Sequence, residues 1–191
     1  MDLRDLECLA ALCEVCSLYR GRKNPVFARG NPNAKLMLCG MVPGPEENEA
    51  GSPFVGRSGK LLNEALSEYG ITENEIYVTN LVKCFLQPGK PLKQEWIDSC
   101  KMYLKLQIEI IKPSVIVTMG KDATYTLLNY DNVDFVMPTL STIRGNLFQF
   151  GNCVVIPTFH PSYVLRQGGK ISNEYALFKD DLAKAFVGSV V

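Results

Sequence analysis

Apolar residues in this chain fall into two kinds of stretch that alternate. Short unbroken runs at 35–39, 76–82, 114–119 and 154–159 have the length of buried strands. Between them apolar positions recur at helical spacing. Leu3, Leu6, Leu9 and Ala10 mark a helix over 2–12, and Leu61, Leu62, Ala65 and Leu66 mark one that stops at Gly70. Trp96, Ile97, Cys100, Tyr103, Leu104, Ile108 and Ile111 mark a long helix over 93–111, closed by Pro113. Further helices are predicted over 122–128 and 172–186. Residues 147–150 read as the first arm of a hairpin turning at Gly151-Asn152. Residues 20–34 and 129–146 read as loops, with Phe135, Val136 and Met137 a candidate short edge strand. Strands that alternate with helices predict an α/β protein whose parallel sheet is covered on both faces.

The first strand breaks at Gly40-Met41-Val42-Pro43-Gly44 and is followed by an acidic loop, Phe54, and the glycines Gly56 and Gly59 that lead into a helix. Strand, glycine-rich loop, helix is a ligand-binding arrangement of open α/β sheets. Glu46, Glu47 and Glu49 lie between Gly40 and Gly56 and no basic residue does, which excludes a polyphosphate cradle. A neutral, flat, hydrogen-bonding ligand that stacks on Phe54 fits better. The carboxyl ends of parallel strands gather on one sheet edge, so Gly40 to Gly44, Asn80, Gly120 and His160 are expected to meet in one cleft.

Composition narrows the class. The chain has 191 residues, 47% hydrophobic and 21% charged, the profile of one globular domain with a sizeable core. No apolar run approaches the roughly 18 residues of a membrane span. The first 13 residues read as an amphipathic helix and not as a signal peptide, so we expect an intracellular, cytoplasmic protein. A formal net charge of zero argues against strong non-specific polyanion binding. Local basic clusters remain: Arg20, Arg22 and Lys23; Arg57 and Lys60; Arg144, Arg166 and Lys170. The plainer reading of each is solvated surface.

Seven cysteines in an intracellular chain point away from disulfides. Cys39 and Cys153 sit in apolar runs as small core residues, and Cys8 is incidental. Cys13-x-x-Cys16 with Cys84 and Cys100 suggests a four-thiolate site for zinc or an iron–sulfur cluster, set against unligated core thiols. His160, the single histidine, sits just past a buried strand and before Pro161, where an imidazole can donate to a developing anion. The Asn80 amide can match a ring edge with a donor beside an acceptor, as in uracil, and mismatch cytosine. Asn80 and His160 as satisfied loop residues, and Phe54 as a loop staple, are the plainer alternatives.

Together these segments resemble the family 4, iron–sulfur branch of the uracil-DNA glycosylase superfamily. The likeness rests on cysteines 13, 16, 84 and 100, on Pro43-Gly44 through Gly51-Ser52-Pro53-Phe54-Val55-Gly56 to Gly59-Lys60-Leu61-Leu62, and on Tyr77-Val78-Thr79-Asn80-Leu81-Val82-Lys83-Cys84. It continues through Ile143-Arg144-Gly145 and His160-Pro161-Ser162, spanning nearly the whole chain. The resemblance implies one glycosylase domain over 1–191, a three-layer α/β/α sandwich with a central four-stranded parallel sheet. It implies a structural [4Fe–4S] cluster on Cys13, Cys16, Cys84 and Cys100 that ties the N-terminal helix to the segment 84–100. It implies that Phe54 stacks on a flipped base, Asn80 reads its edge, Glu47 helps exclude the thymine methyl, and His160 stabilises the departing base. Backbone N–H groups at Met41 and Val42 would share that last task. Ser162, Leu165 and Arg166 would contact DNA, Leu165 as a wedge. The implied protein is a monomer, associated with the nucleoid, that acts on double- or single-stranded DNA and uses no membrane. Its implied reaction is hydrolytic removal of uracil after base flipping, without strand cleavage.

The chain departs from the family at the first loop. The usual Gly-Glu-Ala-Pro-Gly or Gly-Glu-Gly-Pro-Gly is Gly40-Met41-Val42-Pro43-Gly44 here, and Asn48 stands where Asp is frequent. Val42 supplies no water-positioning amide of the sort other branches pair with Met. Two further outcomes stay open: specificity shifted to a modified pyrimidine in DNA, and a non-catalytic iron–sulfur DNA-binding or redox module. Phe54, Asn80 and His160 count against the second.

Overall fold

The computed structural model describes residues 1–129 and 138–190. Among these, strands β1 (Ala28–Gly30), β2 (Leu36–Gly40), β3 (Ile76–Asn80), β4 (Val115–Met119), β5 (Phe148–Phe150) and β6 (Cys153–Thr158) form one sheet in the order β1-β3-β2-β4-β6-β5. β3, β2, β4 and β6 are mutually parallel. β1 and β5 flank them antiparallel, so the four-stranded parallel sheet expected from the sequence is the centre of a six-stranded one. β1 lies in a segment read as loop. Ala28-Arg29-Gly30 is too short and too polar to register as an apolar run. It takes its form from pairing with β3, Ala28 opposite Thr79 and Gly30 opposite Tyr77.

The helices are α1 (Leu3–Ala11), α2 (Pro45–Ala50), α3 (Arg57–Ser67), α4 (Gln94–Ile111), α5 (Lys121–Leu128), α6 (Leu140–Ile143), α7 (Pro161–Arg166) and α8 (Asn173–Val190). Alternation along the strands sorts them into two layers. Met37, Cys39, Tyr77, Ile116 and Val155 pack with Leu6 of α1, Ile97 and Leu104 of α4 and Leu127 of α5. Leu36, Leu38, Val78, Val117 and Ile156 pack with Leu62 of α3, Val164 of α7 and Phe178 of α8. The result is an α/β/α sandwich, in which each large apolar side chain taken fully out of water contributes about 1.5–3 kcal/mol.

Two stretches read as loop are partly helical. The acidic segment after Gly44 is α2, started by Pro45 and closed by Gly51 in the left-handed conformation. Within 129–146, residues 140–143 form α6, while Phe135, Val136 and Met137 lie outside the described residues. α1 is capped by Asp2, which accepts from the Arg4 and Asp5 amides. It is held to α4 by the Tyr103 hydroxyl, which donates to the Leu9 carbonyl at 3.3 Å. Among the described residues no helix is long and apolar enough to cross a membrane.

The chain order creates a crevice. It begins the parallel sheet at β2, places β3 on one side, then crosses to β4 on the other. Connections therefore leave β2 and β4 in opposite directions, and the gap beyond Gly40 and Met119 is where such sheets bind ligands. A buried ion pair braces its rim. Arg144, just after α6, donates from Nε to Asp181 Oδ2 at 2.9 Å and pairs with Oδ1 through a second nitrogen. Thr158 at the end of β6 donates to the same carboxylate at 2.7 Å. The Arg144 guanidinium also lies 5.7 Å from the Phe159 ring, next to His160. Removing one partner leaves a buried charge unpaired, so Asp181→Ala is expected to cost about 3–5 kcal/mol in denaturant unfolding. A loss below about 1 kcal/mol, the size of a surface pair, would contradict this placement.

Candidate active site

Four separate segments meet beyond the end of β2. Gly40 closes the strand without a side chain, and the space is used at once. A Cβ there would lie 2.4 Å from Asn80 Oδ1 and 2.5 Å from Phe54 Cζ. The amide and the ring thus converge over a backbone Cα, as expected from the strand-end argument. They line a cavity of about 230 Å³ with Met41, Val42, Glu47 and His160. A larger cavity of about 460 Å³ lies on the other side of Met41, His160 and Ser162, between Lys121, Leu140 and Arg166, and includes neither Phe54 nor Asn80.

Phe54 is held in a conformation that non-glycine residues seldom adopt, with φ +57°. Three contacts impose it. Gly59 in α3 allows the Phe54 backbone to approach, since a Cβ there would fall 1.8 Å from the Phe54 carbonyl oxygen. Arg29 of β1 donates to the Pro53 carbonyl at 2.9 Å. Glu47, buried in α2, accepts from the amides of Gly44 at 3.0 Å, Val55 at 2.9 Å and Gly56 at 2.8 Å. Both Glu47 oxygens are thereby committed to the backbone. Asn48 beside it accepts from the Lys23 amide at 2.8 Å and anchors that loop. The Phe54 ring stands 6.1 Å from the His160 ring, tilted by 34°.

Asn80 is 2% exposed, and its Oδ1 finds no hydrogen-bond partner among the described residues. A buried unpaired acceptor is costly in a folded protein. Asn80 lines the cavity, where a ligand donor would satisfy it.

His160 caps α7. Its Nδ1 accepts from the Ser162 amide at 3.1 Å and stands 2.8 Å from Ser162 Oγ. Burial, with Arg166 adding to it, lowers its pKa to about 4. The ring is therefore neutral at physiological pH, and with Nδ1 an acceptor its proton resides on Nε2. Met41 and Val42 are half-buried in the cavity wall, Val42 against the core on the α4 side. In α7, Leu165 is half-buried against the opposite core and Arg166 is exposed.

The cysteines also converge. Cys13, Cys16, Cys84 and Cys100 line one small pocket between α1 and α4, and all seven cysteines are free. Two N–H donors reach the sulfurs: Arg22 to Cys84 at 3.5 Å and the Lys83 amide to Cys100 at 3.3 Å. Burial pushes the Cys84 thiol up and the Cys100 thiol up to about 11. Among the described residues no three His, Cys, Asp or Glu side chains are grouped as a single metal ion requires. Cys39 and Cys153 are buried in the core and Cys8 is exposed, as expected.

The basic clusters divide. Arg57, Lys60 and Arg166 are exposed. Arg22 turns inward to the Ala10 and Ala11 carbonyls and to Cys84, Arg144 is bound to Asp181, and Lys23 and Lys170 pair with Glu49 and Glu64. Sequence reasoning missed Arg29, whose strand was not foreseen, and Lys83. The latter is 2% exposed, and its one trace in the sequence is a charge directly after an apolar run.

The protein is an α/β/α sandwich with a small cavity at its switch point, lined by the Phe54 ring, the Asn80 amide and the His160 imidazole. The profile of the Uracil DNA glycosylase superfamily matches residues 27–184, and the chain belongs to that superfamily. It is similar to a Type-4 uracil-DNA glycosylase of Thermotoga maritima, 38% identical over 92% of this chain and 89% of that protein. Another Type-4 uracil-DNA glycosylase, from Pyrobaculum aerophilum, is 34% identical over 100% of this chain and 96% of its own. A Type-5 uracil-DNA glycosylase of the same organism is 24% identical over 82% of this chain.

The histidine yields a direct test, because its proton signals belong to one residue. In the folded protein the imidazole of this half-buried residue is expected to titrate near pH 4 by NMR, and a midpoint near 6.5 would contradict its desolvation. Between those two values the unfolded chain binds the proton that the folded chain refuses. The stability contributed by this group is therefore complete above pH 6.5 and is lost as pH falls through the window toward 4.

Proposed function

We propose that this chain removes uracil from DNA by hydrolysing the bond between base and deoxyribose, as the first step of base excision repair. The unpaired Asn80 Oδ1 carries the reading. Uracil offers an N3–H donor beside the O4 acceptor, which a side-chain amide satisfies with its oxygen and its NH₂ together. Cytosine offers the reverse and would leave the buried amide opposed like to like. Phe54 supplies a face for the ring, and Glu47, immobilised by three backbone donors, is a fixed wall against a methyl at C5. DNA must present the base outside the stack, because a recessed cavity cannot reach a base held within a duplex.

As the glycosidic bond breaks, charge separates into an oxocarbenium-like sugar and a uracil anion. His160, neutral and protonated on Nε2, donates to the developing oxyanion without a second proton to lose. Backbone N–H groups at Met41 and Val42 assist, and water then adds to the sugar carbon, its hydroxyl staying on the sugar and its proton balancing the uracil anion. Among the described residues lining the cavity, Glu47 is the one carboxylate and there is no lysine. The rate therefore rests on stabilising the departing base, and no covalent enzyme–sugar adduct forms, so the strand stays intact. Ser162, Leu165 and the exposed Arg166 on α7 meet the DNA, and the chain works as a monomer, one domain over 1–191, inside the cell.

We further infer that Cys13, Cys16, Cys84 and Cys100 hold a [4Fe–4S] cluster. The fit rests on four thiols around one pocket with N–H donors on two of the sulfurs, the usual surroundings of cluster thiolates. Bound there, the group would supply a cross-link between the end of α1, the segment leading into α4 and α4 itself. Reaction chemistry stays with the base cavity.

Release of free base from oligonucleotides carrying uracil opposite G, opposite A and unpaired tests the reading. His160→Ala and Asn80→Ala are each expected to slow release about 10²–10³-fold while leaving the fold intact. Release of a 5-substituted pyrimidine in place of uracil would show that Met41 and Val42 have changed the substrate. No release of any base by cluster-loaded protein would sink the enzymatic reading.

A further inference from the structure

Lys83 stands between the two sites and belongs to neither. It follows β3 by three residues and is among the largest fully buried side chains of the protein. An ammonium in a core is tolerated only when all its donors are met. Here they are: Nζ donates to Thr79 Oγ1 at 2.8 Å, the Asn80 carbonyl at 2.5 Å and Gln107 Oε1 at 2.7 Å. The acceptors are themselves fixed. The Thr79 hydroxyl donates to the Phe27 carbonyl at 2.8 Å, and the Gln107 amide donates to the Tyr77 hydroxyl at 2.9 Å. None of these partners is a carboxylate.

The other end of the residue faces the thiols. Its amide donates to Cys100 Sγ at 3.3 Å, and Cys84 is its chain neighbour. Asn80 and Cys84 are thus joined by three residues, two of which are laid along the opposite cavity wall. Leu81 donates to the Gly40 carbonyl at 2.9 Å and Val82 to the Met41 carbonyl at 3.0 Å. A shift at Cys84 or Lys83 must move the strand exit that carries the base-reading amide.

We propose that Lys83 is a positioning residue that couples the thiol pocket to base recognition: its ammonium pins the Asn80 carbonyl, and its backbone amide holds the Cys100 sulfur. The inference rests on the roles given above to Asn80 and to the four cysteines. Through this one residue the carbonyl of the base-reading Asn80 and a sulfur of the thiol pocket are tied together. The cluster is then a determinant of how firmly uracil is read, as well as a cross-link.

The test uses the cluster-loaded protein and Lys83→Met, which keeps the length of the side chain and removes its charge. Single-turnover uracil release is expected to fall about tenfold or more, while affinity for abasic-site DNA, which offers no base to read, stays within about twofold. Amide hydrogen exchange over residues 79–83 is expected to rise about tenfold, with β4 and β6 unchanged. Stripping the cluster from the unmutated protein with a chelator is expected to raise exchange in the same segment, a measurement independent of how the variant folds. Unchanged exchange in 79–83 under both treatments overturns the proposal. So does a uniform rise across the sheet with parallel loss of abasic-DNA affinity, which would make Lys83 an ordinary core residue. Failure of the unmutated protein to release uracil overturns the functional reading alone, since the exchange experiments need no substrate and still decide the coupling.

Discussion

The missing side chain at Gly40 is the constraint on which the site depends. A strand end, an amide from the neighbouring strand and an aromatic ring from a distant loop occupy space that one methyl group would fill. Everything around them serves to keep that approach close. β3 is parallel to β2 with Gly40 opposite Asn80, so the amide arrives from the sheet itself. Phe54 arrives from the loop between α2 and α3, which has no regular partner, and is held there by Arg29, Glu47 and Gly59. The approach of amide and ring is thus a property of backbone proximity at Gly40 and does not depend on the side chains of Met41 and Val42.

Much of this was legible in the chain. The four parallel strands are unbroken apolar runs, and buried parallel strands must be, because both their faces are covered. Their ends predicted the convergence of Gly40, Asn80 and His160 without any contact information. β1 was not legible because three residues containing an arginine and a glycine acquire strand structure only from the strand beside them. α2 was hidden by its composition. A proline and three glutamates within six residues resemble a solvated loop until the buried carboxylate of Glu47 finds its backbone donors. Lys83 is the clearest limit of pattern reading. A lysine after a strand normally marks the surface, and only three acceptors from separate positions, Thr79, Asn80 and Gln107, make burial possible.

The two halves of the sandwich carry different duties. The layer with α1 and α4 holds the thiols and the buried polar network, and the layer with α3, α7 and α8 holds the apolar mass behind His160. Arg144 and Asp181 brace the second layer as Lys83 and Gln107 brace the first. Arg144 with Asp181 and Lys83 with Gln107 are each pairings of residues far apart in sequence, so neither half of the cavity can be shaped by local chain preferences alone.

The backbone of Phe54 has one more consequence. A phenylalanine in the left-handed region carries about 1–2 kcal/mol of torsional energy that a glycine would shed. The loop is therefore loaded like a bent spring, with Glu47 as its catch. The ring itself is 5% exposed and packed in the core, so exchange for glycine would lose more in burial than the relaxed backbone returns. Strain and burial thus meet in one residue, at the wall where a base would lie.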